Sequence, residues 1–573
     1  MRPFPMLLFA FLSLGAAPAP RDGEIDYAIR PVVEGAAIVA LDVTATLQGD
    51  RSGTTKLTVP DRAASASDLW HFIKDLRVDG AASVAEDGPG MRIVRAAPGT
   101  PLTVHYRLVS AFDHDPTQRD VDTYLPAIRP TWFWAYGESL FVYPDGGHWT
   151  ARVRWQSEGF PIVSDLDHQA GRPMSIDALL ESVSVGGPAV RLRRTAIAGA
   201  PLRIASIGTL GFTDAEFTAA VTRIVTGERR FWGGREGPFL VVVAALGGTP
   251  RGTNIRGDGR GDAFAIQTTP NAPLADLVTL LAHEYFHTWN PARLGGIAGG
   301  AREAEDYWFS EGFTDYYARR LLLRMGGESL DSFVADWNKA LTEYAGSPVR
   351  LAPNTAIAAR FWQDGDVHNL PYLRGAIMAA RWDAALRRAS RGRYGLDDVM
   401  RAMRAAAKGS ALKAPDLFVA TARRFGLDMA AERRSVIEKG NAALLPADAF
   451  GGCLRVTNID VPKFDHGFDF RATLGNGGKV VGLEPGGPAE RAGLREGMEI
   501  GIDEALSNDS RKPLTYTHRK ADGTVERITF LPQGRETTTL QQIAIPPGLT
   551  PAQRRRCAAE ASGAASGRRA TKS

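Results

Sequence analysis

The stretch "LAHEYFHTWN", Leu281–Asn290, holds two histidines four positions apart with a glutamate directly after the first. On a helix that spacing puts His283 and His287 on one face, one turn apart, where two imidazoles can share a metal ion. Glu284 falls beside such an ion rather than on it, placed to take a proton from metal-bound water. A core helix with hydrogen-bonded histidines would read the same over ten residues. A working site also needs a third ligand and a donor for an oxyanion, and other parts of the chain must supply them.

Working outward, helical patterns run over Leu274–Trp289, Phe309–Met325, Leu373–Arg388 and Pro415–Phe425, and "FLVVVAALGG" (Phe239–Gly248) reads as a buried strand. In "YWFSEGFTDYY", Glu311 lies 24 positions after His287, at the start of the second helix. It is the expected third ligand. Asp315, one turn later on the same face, is placed to accept the second N–H of a metal-bound histidine and fix its tautomer.

The chain has 573 residues, too many for one core. With 44% hydrophobic and 23% charged residues, a formal net charge of +4 and no dense basic stripe among aromatics, nucleic acid is excluded as a partner. "MRPFPMLLFAFLSLGAAPAP" has a basic start, a short apolar run and then small residues. It reads as a secretory signal over residues 1–19, implying export to the periplasm or beyond. No later apolar run approaches the length of a membrane span.

Residues 22–200 alternate in short β-like segments such as "LTVHYRLVS", and read as an all-β domain. Residues 201–444 mix strand and long helices, and residues 450–535 return to strands ("CLRVTNIDV", "ERITFLP") around the short helix "PAERAGL". The polar, arginine-rich stretch 536–573 reads as a disordered tail. Cys453 and Cys557 are the two cysteines, and an oxidising compartment would permit their pairing.

"HEYFHTWN" followed by "YWFSEGFTDYY" resembles the glycyl aminopeptidase family of zinc metallopeptidases, in the gluzincin group whose third ligand is a glutamate. The resemblance implies a multidomain α+β fold: an N-terminal all-β domain, a thermolysin-like mixed α/β catalytic domain and a C-terminal PDZ domain. It implies one Zn2+ per chain on His283, His287 and Glu311, with Glu284 as general base, and peptide substrates trimmed at small N-terminal residues such as Gly or Ala. "LPYLRG" (Leu370–Gly375) is similar to the Pro-Tyr-x-Lys-Gly segment of related aminopeptidases. That maps the oxyanion donor onto Tyr372 and puts Arg374 in the lysine's place, with His368 as a second donor nearby.

The family's Gly-Gly-Leu-Glu-His run is cut short here: Gly247 and Gly248 remain in "ALGGTPRGTNIRGDGRGDAF", but no glutamate follows. Asp258 and Asp262 are the candidates to grip the substrate's α-amine. Without such a carboxylate, the same zinc site would serve an endopeptidase or a broad peptidase. "GFDF" (Gly467–Phe470) with "VVGLEPGGPAERAGLREGMEI" (Val480–Ile500) resembles a bacterial PDZ domain. Its Gly467–Phe468 loop would hold protein C-termini beside a peptide-pairing strand edge. An inert zinc-bearing PDZ binding protein is the reading from another class, and Glu284 argues against it, since a site that only binds needs no base.

Overall fold

The computed structural model describes residues 23–63, 66–120, 124–169, 171–234, 236–250, 252–502 and 508–564. The signal expected over 1–19 lies outside them. The chain forms two compact units, the first of 1–218 and 235–274, the second of 219–234 and 275–573.

In the first unit a six-stranded sheet is built around Glu24–Glu34 and Ala37–Gln48. Gly35 takes φ 63° at the two-residue turn between them, a conformation glycine adopts without strain. Strict alternation along Leu41–Gln48 and Pro101–Leu108 sends Val43, Leu47, Leu102 and Val104 inward. Two four-stranded sheets complete the β region.

The same unit holds a five-stranded sheet in the order Arg191–Ile197, Ala200–Ile207, Phe239–Ala245, Ala263–Thr268, Ile255–Arg260. Its inner three strands are parallel and its outer two antiparallel. Phe239–Ala245 is buried along almost its whole length, as its unbroken apolar run requires. This sheet packs with the β region through Trp134, Tyr136, Val185, Leu240 and Val242. The expected boundary at residue 200 is therefore not where the compact units divide: the catalytic region's strands cluster with the N-terminal sheets.

The second unit is mainly helical. Helix α1 (Asp214–Trp232) contributes most of its length to it. Then follow α2 (Leu274–Phe286), α3 (Tyr307–Arg324), α4 (Leu330–Gly346), α5 (Gly365–Ala389), α6 (Leu396–Ala407) and α7 (Ala414–Arg423). Phe309, Phe313, Trp382 and Phe418 form an aromatic core between α3, α5 and α7. Beside it lies a buried ion network in which Arg320 meets Asp383 at 2.6 Å and Asp397 at 3.3 Å. Helix α5 starts eight residues before the expected Leu373. Asp364 caps it, accepting from the N–H groups of Asp366 and Val367, and Pro371 is carried inside the helix.

The C-terminal module has its own small core of Phe468, Val480, Leu494, Tyr516, Ile528 and Phe530. Strand Gln533–Ala544 pairs with Arg455–Phe464 and lies on α4, where Asn338 exchanges two hydrogen bonds with the Ile543 backbone. The disordered tail expected from residue 536 is thus corrected up to 564. That strand and helix α8 (Pro551–Ala561) are ordered. A reciprocal cap between Thr550 and Gln553 starts the helix. Cys557 is buried and disulfide-bonded to Cys453, and the Ser562 carbonyl accepts from Arg324 of α3 at 2.9 Å. Among the described residues no helix is long and apolar enough to cross a membrane.

Candidate metal centre

His283 and His287 come from the last turn of α2 and the residues just after it, and Glu311 from the first turns of α3. His283 Nε2 lies 3.1 Å from His287 Nε2 and 3.3 Å from Glu311 Oε2, and His287 Nε2 lies 3.2 Å from the same oxygen. The other ring nitrogens are engaged. His283 Nδ1 donates to Asp315 Oδ1 at 2.9 Å, and His287 Nδ1 donates to the Asn290 carbonyl at 2.7 Å. With both Nδ1 atoms holding hydrogens, both neutral Nε2 atoms present lone pairs, and these converge on a carboxylate oxygen.

Three acceptors at that separation repel unless a cation joins them. Zinc bonds of about 2.0–2.1 Å in tetrahedral geometry set ligand atoms about 3.3 Å apart. The observed triangle has that edge, so the three residues suit a single zinc ion.

The charges agree. Burial alone would raise the Glu311 carboxyl, but His287 and His283 hold it well below the usual carboxylate range. Burial opposes charge on His283 too, yet Asp315 and Glu311 push its imidazole well above the ordinary value, so without metal a proton takes the ion's place. Asp315 is likewise held down, at about 2, against burial by Arg319 and His283. Arg319 donates to Asp315 Oδ2 at 3.1 Å and anchors it. Asp315→Ala is expected to weaken zinc affinity roughly 10- to 100-fold, while excess zinc restores turnover. An unchanged zinc dissociation constant, measured by competition with a chelator, would leave Asp315 with a packing role alone.

Glu284, half-buried, is near enough for its charge to act on His283, His287 and Tyr372. The Tyr372 ring stacks on His283, centroids 6.0 Å apart, and its phenol lies near enough to Glu311 for the carboxylate's charge to act on it. Burial, then the charges of Glu311, Asp315 and Glu284, push this phenol far above its ordinary value, so it stays a protonated donor. His368 stacks on Tyr372 at 5.6 Å, and burial lowers its pKa and favours the neutral ring.

Two glycines set these distances. A Cβ on Gly375 would come within 2.0 Å of the Trp308 carbonyl, and one on Gly312 within 2.4 Å of Gly375. Helices α3 and α5 touch through bare backbone there, which draws Tyr372 up to Glu311.

Arg374 does not face this site. It is fully buried, its Nη1 donates to the Ala352 carbonyl at 2.7 Å, and burial pulls its guanidinium down to about 10. Two residues from Tyr372 is about 200° around a helix. The expected substrate contact at Arg374 is thereby corrected.

Gly247, Gly248, Asp258 and Asp262 belong to the first unit, whereas the zinc-site residues belong to the second. The Gly247 N–H donates to the Pro116 carbonyl, and Gly248 takes φ 76°. Asp258 accepts from the hydroxyls of Tyr124 and Tyr136 at 3.1 and 3.0 Å, and Asp262 pairs with His168 at 3.3 Å. In the C-terminal module, Gly467 takes φ 74° and Phe468 is buried, while the next N–H, of Asp469, donates to the Val481 carbonyl. A short helix, Phe470–Gly475, follows directly.

Sequence reasoning missed Asn290 and Arg319. Asn290 is fully buried, and its amide donates to the Phe309 and Ser310 carbonyls and to Thr314, tying the end of α2 to α3. The i, i+4 spacing of Asp315 and Arg319 was the available signal for the second.

Residues 276–365 match the family model of M61 glycyl aminopeptidase. No curated protein matches the chain. Among solved structures, an aminopeptidase N family protein from Idiomarina loihiensis is similar at 16% identity and a TM-score of 0.66, over 93% of this chain and 99% of that one. An M1 zinc metallopeptidase from Deinococcus radiodurans is similar at 15% identity and a TM-score of 0.44, over 74% and 95%. The first likeness is one of fold. The family match and the ligand triangle together define a metallopeptidase, a hydrolase with a single zinc site. More particularly, the segment that carries all three converging side chains is the one that matches the M61 glycyl aminopeptidase model.

Proposed function

We propose that this metallopeptidase removes N-terminal residues from peptides outside the cytoplasm. The observation that carries the zinc-dependent reading is the convergence of two imidazole lone pairs and one carboxylate oxygen at 3.1–3.3 Å. Zinc, when held there, supplies a Lewis acid and a water of lowered pKa. Glu284 takes the proton of the attacking water and returns it to the leaving amine. Tyr372 donates to the oxygen of the scissile carbonyl as charge develops on it, a contribution of about 10²–10³ in rate. Asp315 and the Asn290 carbonyl keep both imidazoles in the tautomer that binds metal. An inert binding role leaves Glu284 and the protonated Tyr372 without a purpose.

The apolar N-terminal run supports export, as does the Cys453–Cys557 disulfide. The C-terminal module reads as PDZ-like from its sequence. The helix after Gly467–Phe468 argues for a packing role rather than capture of protein C-termini.

Endopeptidase action is the second reading, favoured by the internal partners of Asp258 and Asp262. An aminopeptidase must pair a desolvated α-ammonium, and a broken buried pair costs about 3–5 kcal/mol. Free, N-acetylated and C-terminally amidated versions of one peptide, with and without chelator, separate the readings. The expected result is chelator-sensitive cleavage with free N-termini strongly preferred. Comparable kcat/KM on the free and acetylated pair would overturn the aminopeptidase reading in favour of the second.

A further inference from the structure

We infer that Trp362, backed by the buried Phe361 and beside His368, forms an aromatic subsite that selects substrates carrying a large apolar or aromatic side chain near the scissile bond. The inference rests on the peptidase reading above and adds a specificity to it.

Trp362 is 77% exposed, more than any other large apolar side chain among the described residues. It sits on the turn that leads into α5, and that turn is pinned. Asp364 caps α5 and forms ion pairs with Arg360 and with Arg471 of the C-terminal module. The indole is therefore held out in water on a fixed support, edge-on to Phe361 with centroids 4.9 Å apart.

The rings behind it run continuously to the metal centre. Phe361 packs on His368 at 4.4 Å, His368 stacks on Tyr372 at 5.6 Å, and Tyr372 stacks on His283. Tyr307 closes against the other side of Phe361 at 4.7 Å. Trp362 and His368 are 6.4 Å apart. Those two steps from Tyr372 are spanned by about three extended residues, so the indole is in reach of a substrate side chain within that distance of the reacting carbonyl. His368 is favoured neutral, which leaves the platform uncharged. An aromatic or large aliphatic side chain laid on it would cover the indole and gain aromatic contact as well as burial. Glycine or alanine would gain little, so the platform predicts a preference opposite to the small residues implied by the family resemblance.

The test uses full-length zinc-loaded protein and pentapeptides of alanine with one phenylalanine moved along the positions. The best phenylalanine peptide should exceed the all-alanine peptide about tenfold in kcat/KM. Trp362→Ala should bring that ratio down towards one, whereas Trp362→Phe should keep most of it. A ratio equal in wild type and Trp362→Ala, or no preference in wild type, overturns the subsite. Failure of the peptidase reading looks different, with no peptide cut by wild type. In that case, calorimetric titration of the same peptides into wild type and Trp362→Ala decides, and equal dissociation constants overturn the subsite.

Discussion

Glu284→Gln is expected to keep its zinc and its fold and to lose peptide cleavage by on the order of 10²–10⁴-fold, the usual contribution of a positioned base. The amide fills the same space but cannot take a proton from water. Because Glu284 is half-buried at the end of α2 and is not one of the three converging ligands, the substitution leaves the triangle intact. Metal content and kcat/KM should be measured on the same preparation. Turnover like wild type in a zinc-loaded variant would remove Glu284 from the mechanism.

His283→Ala and Glu311→Ala are each expected to bring zinc from about one per chain to near none. Three protein ligands leave no redundancy, and two cannot hold the ion against competition. Glu311→Ala also leaves two buried imidazoles facing each other at 3.1 Å without the carboxylate between them, so its metal-free form should be the less stable of the pair. In the wild type the metal-free His283 imidazole favours its proton, so zinc must displace it and zinc affinity should rise with pH. Calorimetry in buffers of different ionisation enthalpy reads the released proton. Full zinc occupancy in either variant would end the ligand assignment.

The converging ligands were legible because the spacings within each helix are local and the step from His287 to Glu311 is a short, motif-bearing stretch of 24 positions. Four residues on a helix fix His283 and His287, and one more turn separates Glu311 from Asp315. What stayed hidden depends on pieces brought together by packing. Nothing near Asp258 announces that Tyr124 and Tyr136, more than a hundred residues earlier, donate to it. The close approach of Gly312 to Gly375 appears only once α3 and α5 are side by side.

Arg374 was misread for a local reason. Starting the helix after Pro371 hides the phase, whereas a helix running from Gly365 puts positions 372 and 374 on opposite faces. The tail was misread from composition, although Thr550, Pro551 and Gln553 spell a helix start. In the C-terminal module, the helix Phe470–Gly475 was not anticipated, although Asp469, whose carboxylate accepts from the Ala472 N–H, spells its start.

The contact of the 562–563 backbone with α3 has a consequence for the order in which the molecule is made. Arg324 is held by the Ser562 carbonyl, and Gly563, at φ 71°, presses on the Arg320 guanidinium where a Cβ would collide at 1.9 Å. A ribosome makes the two ligand-bearing helices well over two hundred residues before it makes that lid. Until the lid arrives, the guanidinium that anchors the ion network behind α3 has an open side. A chain cut just before α8 would carry every ligand but lack the Ser562 carbonyl on Arg324 and the backbone over Arg320, so the support behind α3 would be incomplete.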